Sequence, residues 1–116
     1  MNKELISFET AKLAFEKGFI DVQTLLTWLY YEKNGRLFNN EYEIGNEDYI
    51  CSTQSELQTW LREKHGVDLW VEKYPTDTKY ISQCPILNKD KVLGYYDTYE
   101  EALEKALVEA LNFLEL

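Results

Sequence analysis

Residues 53–74 read TQSELQTWLREKHGVDLWVEKY, and the spacing of apolar residues changes within this stretch at Gly66. Before Gly66 the apolar residues recur at helical spacing, and Thr53-x-x-Glu56 forms a capping box. After Gly66, apolar and polar residues alternate from Val67 to Tyr74, which is typical of a half-buried strand. The stretch therefore predicts a helix followed at once by a strand. The apolar stripe of this helix consists of Leu57, Trp60 and Leu61.

Two further strands and a long helix are predicted toward the C-terminus. Lys79–Leu87 and Val92–Tyr96 are short apolar and aromatic runs between polar turns, which indicates an antiparallel meander. Pro85 favours an edge or a bulge near the end of the first run, because proline donates no ladder hydrogen bond. A second capping box at Thr98 begins a helix that continues to about Leu114 and has a wide apolar face. We expect this helix to be the main one packed on the sheet.

The N-terminal part predicts one helix and a hairpin. Ser7–Lys17 has an N-cap serine and a following glycine, which favours a short helix. Thr24–Glu32 is crowded with aromatic and apolar residues and is interpreted as a strand, although a helix capped by Asp21 is an alternative. Asn34-Gly35 is a strong hairpin signal, since both residues tolerate a positive φ. Arg36–Phe38 would then return as a short second strand.

Residues 39–51 contain Asn-Asn and Gly-Asn pairs among acids and predict a loop. The predicted order of elements is therefore α-β-β-α-β-β-β-α. A chain of 116 residues fits a single domain, residues 1–116. We expect an α+β fold in which an antiparallel sheet of about four to five strands packs with three helices in two or three layers.

The charge of the chain limits its partners. It carries 21 acidic and 12 basic residues, a net charge of −9. Because such a surface repels phosphates and anionic lipids, neither nucleic acid nor a membrane is an expected partner. Met1–Leu5 lacks the apolar segment of a signal peptide, and no apolar run is long enough to span a bilayer. We expect a cytoplasmic protein with Cys51 and Cys84 reduced.

Residues that commonly carry catalysis are few. The single histidine, His65, is placed at a helix end, where a cation complements the helix dipole. Cys51 precedes a helix N-terminus, which favours a thiolate, but Glu47 and Asp48 oppose one. No phosphate-binding, dinucleotide-binding or hydrolase motif is found. The sequence therefore predicts no enzyme, no catalytic residue and no cofactor. A small enzyme using Cys51 or paired carboxylates is the least favoured alternative.

Aromatic side chains are concentrated on the predicted strands. Trp70 and Tyr74 alternate with Asp68 and Glu72, so this strand face is expected to be half buried. Tyrosine and tryptophan are enriched at interfaces, which favours a protein partner, or a second copy in a homodimer. If helices cover this face, the aromatic residues belong to the core instead. The candidate interaction surface consists of Trp28, Tyr30, Trp70, Tyr74, Glu41, Glu43, Glu47 and Asp48.

The acidic residues support a second hypothesis, mimicry of a nucleic acid. Acids cluster between Glu41 and Asp48 and between Glu100 and Glu109. A contiguous negative face could occupy a host enzyme that expects phosphates. The spacing in the first cluster does not match a calcium-binding EF-hand loop, so no specific metal site is predicted. At most, we expect weak and nonspecific calcium binding.

Three segments of the chain carry a resemblance to known proteins. They are SFETAKLA at 7–14 with Lys17-Gly18-Phe19, TQSELQTWLREKH at 53–65, and TYEEAL at 98–103 with LVEAL at 107–111. Together these segments resemble a family of small uncharacterised phage and prophage proteins of gut bacteria. The segments occur in the same order and span most of the chain, whereas residues 39–50 match nothing in that family. The resemblance implies an accessory protein of viral origin in the host cytoplasm and brings no catalytic residues with it. Our leading hypothesis is a non-enzymatic accessory protein that acts through protein–protein interaction.

Overall fold

A computed structural model describes residues 5–19, 29–39, 49–73, 79–84 and 95–114. These residues form three helices and six strands, which confirms the α+β class and the three predicted helices. The helices are α1 (Phe8–Glu16), α2 (Gln54–His65) and α3 (Tyr99–Phe113). The strands are β1 (Leu29–Tyr31), β2 (Leu37–Asn39), β3 (Tyr49–Ile50), β4 (Trp70–Lys73), β5 (Tyr80–Gln83) and β6 (Tyr95–Tyr96).

Each helix begins where a side chain caps it. The Ser7 hydroxyl accepts from the Thr10 N–H at 3.1 Å, and the capping box predicted at Thr53 and Glu56 is complete. The Thr98 hydroxyl accepts from the Glu101 N–H at 3.1 Å. These bonds satisfy backbone donors that have no partner within the helix. The starts of all three helices are therefore confirmed.

The order of elements differs from the prediction at one strand. Residues 39–51 were expected to form a loop, yet Asn39 ends β2, and Tyr49–Ile50 is β3, which pairs antiparallel with β1. Tyr30 lies opposite Ile50, and Tyr31 lies opposite Tyr49. A two-residue strand has too short a pattern to be seen in sequence, and its pairing with β1 defines it. The described order is therefore α-β-β-β-α-β-β-β-α.

The strands in the described part of the chain form two sheets instead of the single sheet of four to five strands that was expected. The first has the order β2-β1-β3 and the second the order β4-β5-β6, both antiparallel. The predicted hairpin at Asn34-Gly35 is confirmed in the first sheet, where Gly35 has a φ of +89°. The predicted meander is confirmed in the second. Alternation within a strand identifies its two faces but not its neighbours, so the sequence could not divide the strands between sheets.

Several predicted strands are shorter than their sequence patterns. β4 begins at Trp70, although alternating burial begins at Val67. The Gln58 side chain donates to the Leu69 carbonyl at 2.7 Å, so a helix side chain takes the place of a ladder partner there. Asp21 and residues 24–28 lie outside the described part of the chain, so the first half of the predicted strand Thr24–Glu32 and its alternative helix are not described. Residues 85–94 also lie outside it, with the end of the predicted strand Lys79–Leu87 and the start of Val92–Tyr96.

The core is built around α3. Its apolar face is fully buried against α1, α2 and the second sheet, and α1 in turn packs on β3 of the first sheet. Phe8 and Phe15 contact the Tyr49 ring at 5.9 and 5.3 Å between centroids. Thus α1 joins the first sheet to α3, and α3 joins α1 to the second sheet. The buried face of α3 consists of Ala102, Leu103, Ala106, Leu107, Ala110 and Leu111.

Candidate interaction surface

One face of the second sheet is covered by α3. The Ser82 hydroxyl, fully buried, donates to the Ala102 carbonyl of α3 at 2.6 Å. The rings of Tyr80 and Tyr99 meet edge to face, 6.3 Å apart. Residues two apart on a strand share a face, so Tyr80 and Ser82 both point to α3. The sheet therefore has an inner face that belongs to the core.

The opposite face of the same sheet carries exposed aromatic side chains. Ile81 lies opposite Glu72 on β4 and Tyr95 on β6, and paired residues share a face. Trp70 is two residues from Glu72 and joins that face, which we call the outer face. The exposed fractions are 38% for Trp70 and 60% for Tyr95. The outer face therefore offers two large rings beside a buried isoleucine.

The Trp70 ring on the outer face is held in place. Its indole N–H donates to the Glu72 carboxylate at 2.8 Å. This bond uses the polar atom of the ring and leaves its apolar surface available for contact. A pre-oriented ring loses little side-chain entropy when it binds a partner.

The structure describes two of the predicted surface residues and corrects one of them. Trp70 is 38% exposed, whereas Tyr30 is 4% exposed and lies in the core. The reason is that β1 is the central strand of the first sheet, and burial also raises the pKa of Tyr30. Tyr95 and Tyr99 join the exposed aromatics. The remaining predicted residues, Trp28, Tyr74, Glu41, Glu43, Glu47 and Asp48, lie outside the described residues.

A second feature lies where the N-terminal ends of the three helices meet. The Glu104 carboxylate of α3 accepts from the Ser7 backbone N–H at 2.9 Å through one oxygen. Its other oxygen accepts from the Gln54 side-chain amide at 2.9 Å. The same amide also donates to the Glu100 carbonyl at 2.9 Å. Glu104 thus fixes the start of α1 and the start of α2 to the first turns of α3.

Two cavities of about 420 Å³ each open on either side of this junction. Both are lined by Gln54 and Glu100, so they adjoin, and we call them together the cap cleft. The first cavity has a mainly apolar surface, and the second is lined mostly by polar residues together with the Tyr99 ring and Leu103. The first is further lined by Leu5, Ile6, Ser7, Tyr31, Leu37, Thr98, Glu101 and Glu104. The second is further lined by Thr53, Ser55, Gln58, Tyr99 and Leu103.

The carboxylates of the cap cleft differ in what they bond. Both oxygens of Glu104 are used by the fold. Glu101 accepts from the Thr98 hydroxyl at 3.1 Å. Within the described residues, neither Glu100 nor Glu101 forms an ion pair; the pairs found join Lys79 to Asp97 and Lys105 to Glu109. Negative charge at the cleft is therefore not neutralised by the described part of the chain.

The Cys51 thiol lies in a buried cluster behind the first sheet. The Tyr31 hydroxyl donates to the Ile6 carbonyl at 2.8 Å, and the thiol donates to the same carbonyl at 3.7 Å. Burial raises the pKa of the Cys51 thiol to about 11. Burial, followed by the hydrogen bond with Cys51, raises the pKa of Tyr31 well above its ordinary value. At neutral pH the thiol is therefore protonated and enclosed, which disfavours its use as a nucleophile.

His65 packs where α2 ends. Its ring meets the Trp60 ring edge to face, with the centroids 4.7 Å apart, and Trp60 also contacts Phe19 at 5.1 Å. Gly66 follows in the left-handed conformation with a φ of +65°. The basic residues Arg62, Lys64 and His65 occupy the last turn of α2, as the sequence predicts. The histidine is thus placed as a packing residue at a helix end.

Comparisons with protein-family models, curated proteins and solved structures returned no match. Among the described residues, no group of three or more histidine, cysteine, aspartate or glutamate side chains is placed to hold a metal ion. In the same part of the chain, no helix is both long enough and apolar enough to cross a membrane.

Proposed function

We propose that this protein is a non-enzymatic accessory protein that acts by binding another protein. The observation that carries the proposal is the outer face, where Trp70 and Tyr95 remain exposed although α3 covers the other side of the same sheet. Exposed aromatic rings are the side chains that most often dominate binding energy at interfaces. In keeping with the resemblance to phage and prophage proteins, we place the protein in the bacterial cytoplasm.

The chemistry of the described residues favours binding over catalysis. The best nucleophile candidate, Cys51, is fully buried with its pKa raised to about 11. Buried polar side-chain atoms in the described part of the chain all have hydrogen-bond partners, so none is held in reserve for a substrate. An enzyme using Cys51 is the reading that this geometry supports least.

Nucleic-acid mimicry remains the second candidate and receives less support from α3. A mimic needs an unbroken row of negative charge. On α3, Lys105 is one turn after Glu101 and pairs with Glu109 at 2.9 Å, so a cation interrupts the row. The other acidic cluster, Glu41 to Asp48, lies outside the described residues. The salt dependence of binding separates this candidate from the leading one.

The test is a capture experiment with three purified baits. Wild-type protein, a Trp70→Ser/Tyr95→Ser variant and a Phe113→Ser variant are used against lysate of a bacterial host at low and moderate salt. Phe113 is 44% exposed on α3, away from the outer face, so it controls for the loss of an exposed aromatic residue in general. Far-UV circular dichroism first establishes that each bait is folded.

We expect a partner that wild type and the Phe113 variant both retain at moderate salt. The double variant should bind that partner roughly 30-fold more weakly, the effect of removing strong interface side chains. A basic partner lost as salt rises would favour mimicry instead. Sedimentation of the purified protein tests a second copy as the partner; a dimer that the double variant abolishes would assign the outer face to self-association. Equal capture by all three baits would overturn the proposal for this face.

A further inference from the structure

The cap cleft combines a first cavity of mainly apolar surface, which Glu100, Glu101 and Glu104 also line, with a second cavity that holds Tyr99 and Glu100. Leu37 is exposed at the edge of the first cavity, and Leu5, Ile6 and Tyr31 line it as well. The volume of about 420 Å³ is within the range of roughly 300–1,000 Å³ that ligand sites occupy. An apolar side chain would remove this surface from water, which is the main source of binding energy for such a cavity.

The second cavity has the features that bind a cation. Tyr99 presents a ring that is 43% exposed, and Glu100 next to it lines both cavities. A lysine or arginine is attracted to a carboxylate and to the face of an aromatic ring. Glu101 adds a second negative charge at the first cavity. Neither carboxylate has a cationic partner among the described residues.

Two cavities that share Gln54 and Glu100 adjoin closely enough for neighbouring groups of one ligand to fill both. We infer that the cap cleft binds a short partner segment in which an apolar side chain stands beside a lysine or arginine. This inference depends on the proposed function and names the chemistry that its partner supplies. Charge complementarity selects this ligand. An acidic segment would be repelled by the carboxylates of the cleft, and a purely polar segment would leave the apolar surface of the first cavity in contact with water.

The direct test uses a peptide probe and requires no lysate. A fluorescein-labelled heptapeptide of alternating leucine and lysine is titrated with purified full-length protein, and fluorescence anisotropy is followed at low and moderate salt. Two matched peptides replace leucine by serine, or lysine by glutamate. We expect the leucine–lysine peptide to bind at least tenfold more tightly than either, and its affinity to fall with salt.

Protein variants locate the binding on the surface. Glu100→Gln/Glu101→Gln should weaken the leucine–lysine peptide roughly tenfold, since two exposed charge pairs are lost. Leu37→Ser tests the apolar cavity and should also weaken binding. The control is Glu16→Gln/Glu63→Gln, which removes the same charge at the opposite ends of α1 and α2 and should change affinity less than twofold. Thermal unfolding of each variant establishes that it is folded.

Three results would overturn the inference. The first is no binding of the leucine–lysine peptide. The second is equal weakening of that peptide by Glu100→Gln/Glu101→Gln and by Glu16→Gln/Glu63→Gln, which would show that the peptide is attracted to net charge alone. The third is equal binding of the glutamate peptide. Capture experiments separate failure of the cleft from failure of the proposed function. Capture of one protein partner at wild-type level by a Glu100→Gln/Glu101→Gln bait would reject the cleft and keep the outer face. Peptide binding together with equal capture by the wild-type, Trp70→Ser/Tyr95→Ser and Phe113→Ser baits would keep the cleft and reject the outer face.

Discussion

At the scale of single residues, Glu104 connects three helices through one carboxylate. Its two oxygens accept from the Ser7 N–H and the Gln54 amide, both at 2.9 Å. Glutamine at this position has one acceptor oxygen and one donor nitrogen, so one bond becomes a contact between two donors. We expect Glu104→Gln to lower the free energy of unfolding by about 1–3 kcal/mol, the cost of leaving a buried polar group without its partner.

Urea unfolding measures this effect of Glu104. Glu63→Gln removes a charge from an exposed site on α2 and serves as the control, with an expected change within about 0.5 kcal/mol. Equal stabilities for the two variants would show that Glu104 contributes only its charge.

A second residue-scale prediction concerns alkaline pH. The Cys51 pKa is raised from 9.0 to about 11 in the folded protein, so between these values the unfolded chain releases a proton that the folded protein keeps. Stability should therefore fall as pH rises through this window, by at most about 1.4 kcal/mol per pH unit, and the thiol should contribute little pH dependence below about pH 8, where it is protonated in both states. Cys51→Ala should flatten, without abolishing, the decline, because the pKa of Tyr31 is raised as well.

Urea unfolding between pH 8 and pH 11 in the presence of reductant measures the predicted decline. Parallel pH profiles for wild type and Cys51→Ala would contradict it.

At the scale of elements, the ends of the helices are defined by local chemistry. Gly18 has a φ of +99°, and its N–H donates to the Phe15 carbonyl at 3.1 Å while the Phe19 N–H donates to the Ala14 carbonyl at 2.9 Å. This pair of bonds is a Schellman motif, and it directs Phe19 into the core. Gly18→Ala should lower the free energy of unfolding by about 1–2 kcal/mol, because an L-residue is strained in the left-handed region.

The comparison for this element is Gly18→Asn, since asparagine tolerates the left-handed region better than alanine does. Thermal unfolding should therefore rank the proteins as wild type, then the asparagine variant, then the alanine variant. An alanine variant as stable as wild type would show that the turn at Gly18 does not require a positive φ.

At the scale of the whole molecule, α3 is shared by the parts of the fold. It packs on α1, α2 and the second sheet, and α1 connects it to the first sheet. The described elements should therefore unfold in one cooperative step. Leu107 is fully buried on α3, so Leu107→Ala should lower the free energy of unfolding by about 2–5 kcal/mol.

Two signals test this cooperativity. Circular dichroism and tryptophan fluorescence should report the same urea midpoint in wild type, and both should shift together in Leu107→Ala. Asn112→Ala, at an exposed position on the same helix, should leave both midpoints in place. Separate midpoints for the two signals would show that the described elements do not unfold in one step.

Much of the local structure could be predicted because its causes are close together in sequence. The caps at Ser7, Thr53 and Thr98, and the turn at Gly35, each depend on residues within a few positions, and all are found. The apolar face of α3 follows from helical spacing alone. Local alternation also placed Trp70 on the strand face opposite Val71 and Leu69, which pack in the core, but it left open whether helices cover the face of Trp70.

The class of the fold, the three helix starts, the hairpin, the meander and the acidic charge could all be predicted from the amino-acid sequence. Apart from the charge, they depend on propensity, capping and periodicity, which act over a few residues. The division of the described strands into two sheets, the pairing of β3 with β1 and the burial of Tyr30 became visible in the folded chain alone. The same holds for the meeting of the helix N-terminal ends around Glu104, which forms the cap cleft. Pairing and packing between distant segments depend on which faces are left to bury, and no local pattern records that choice.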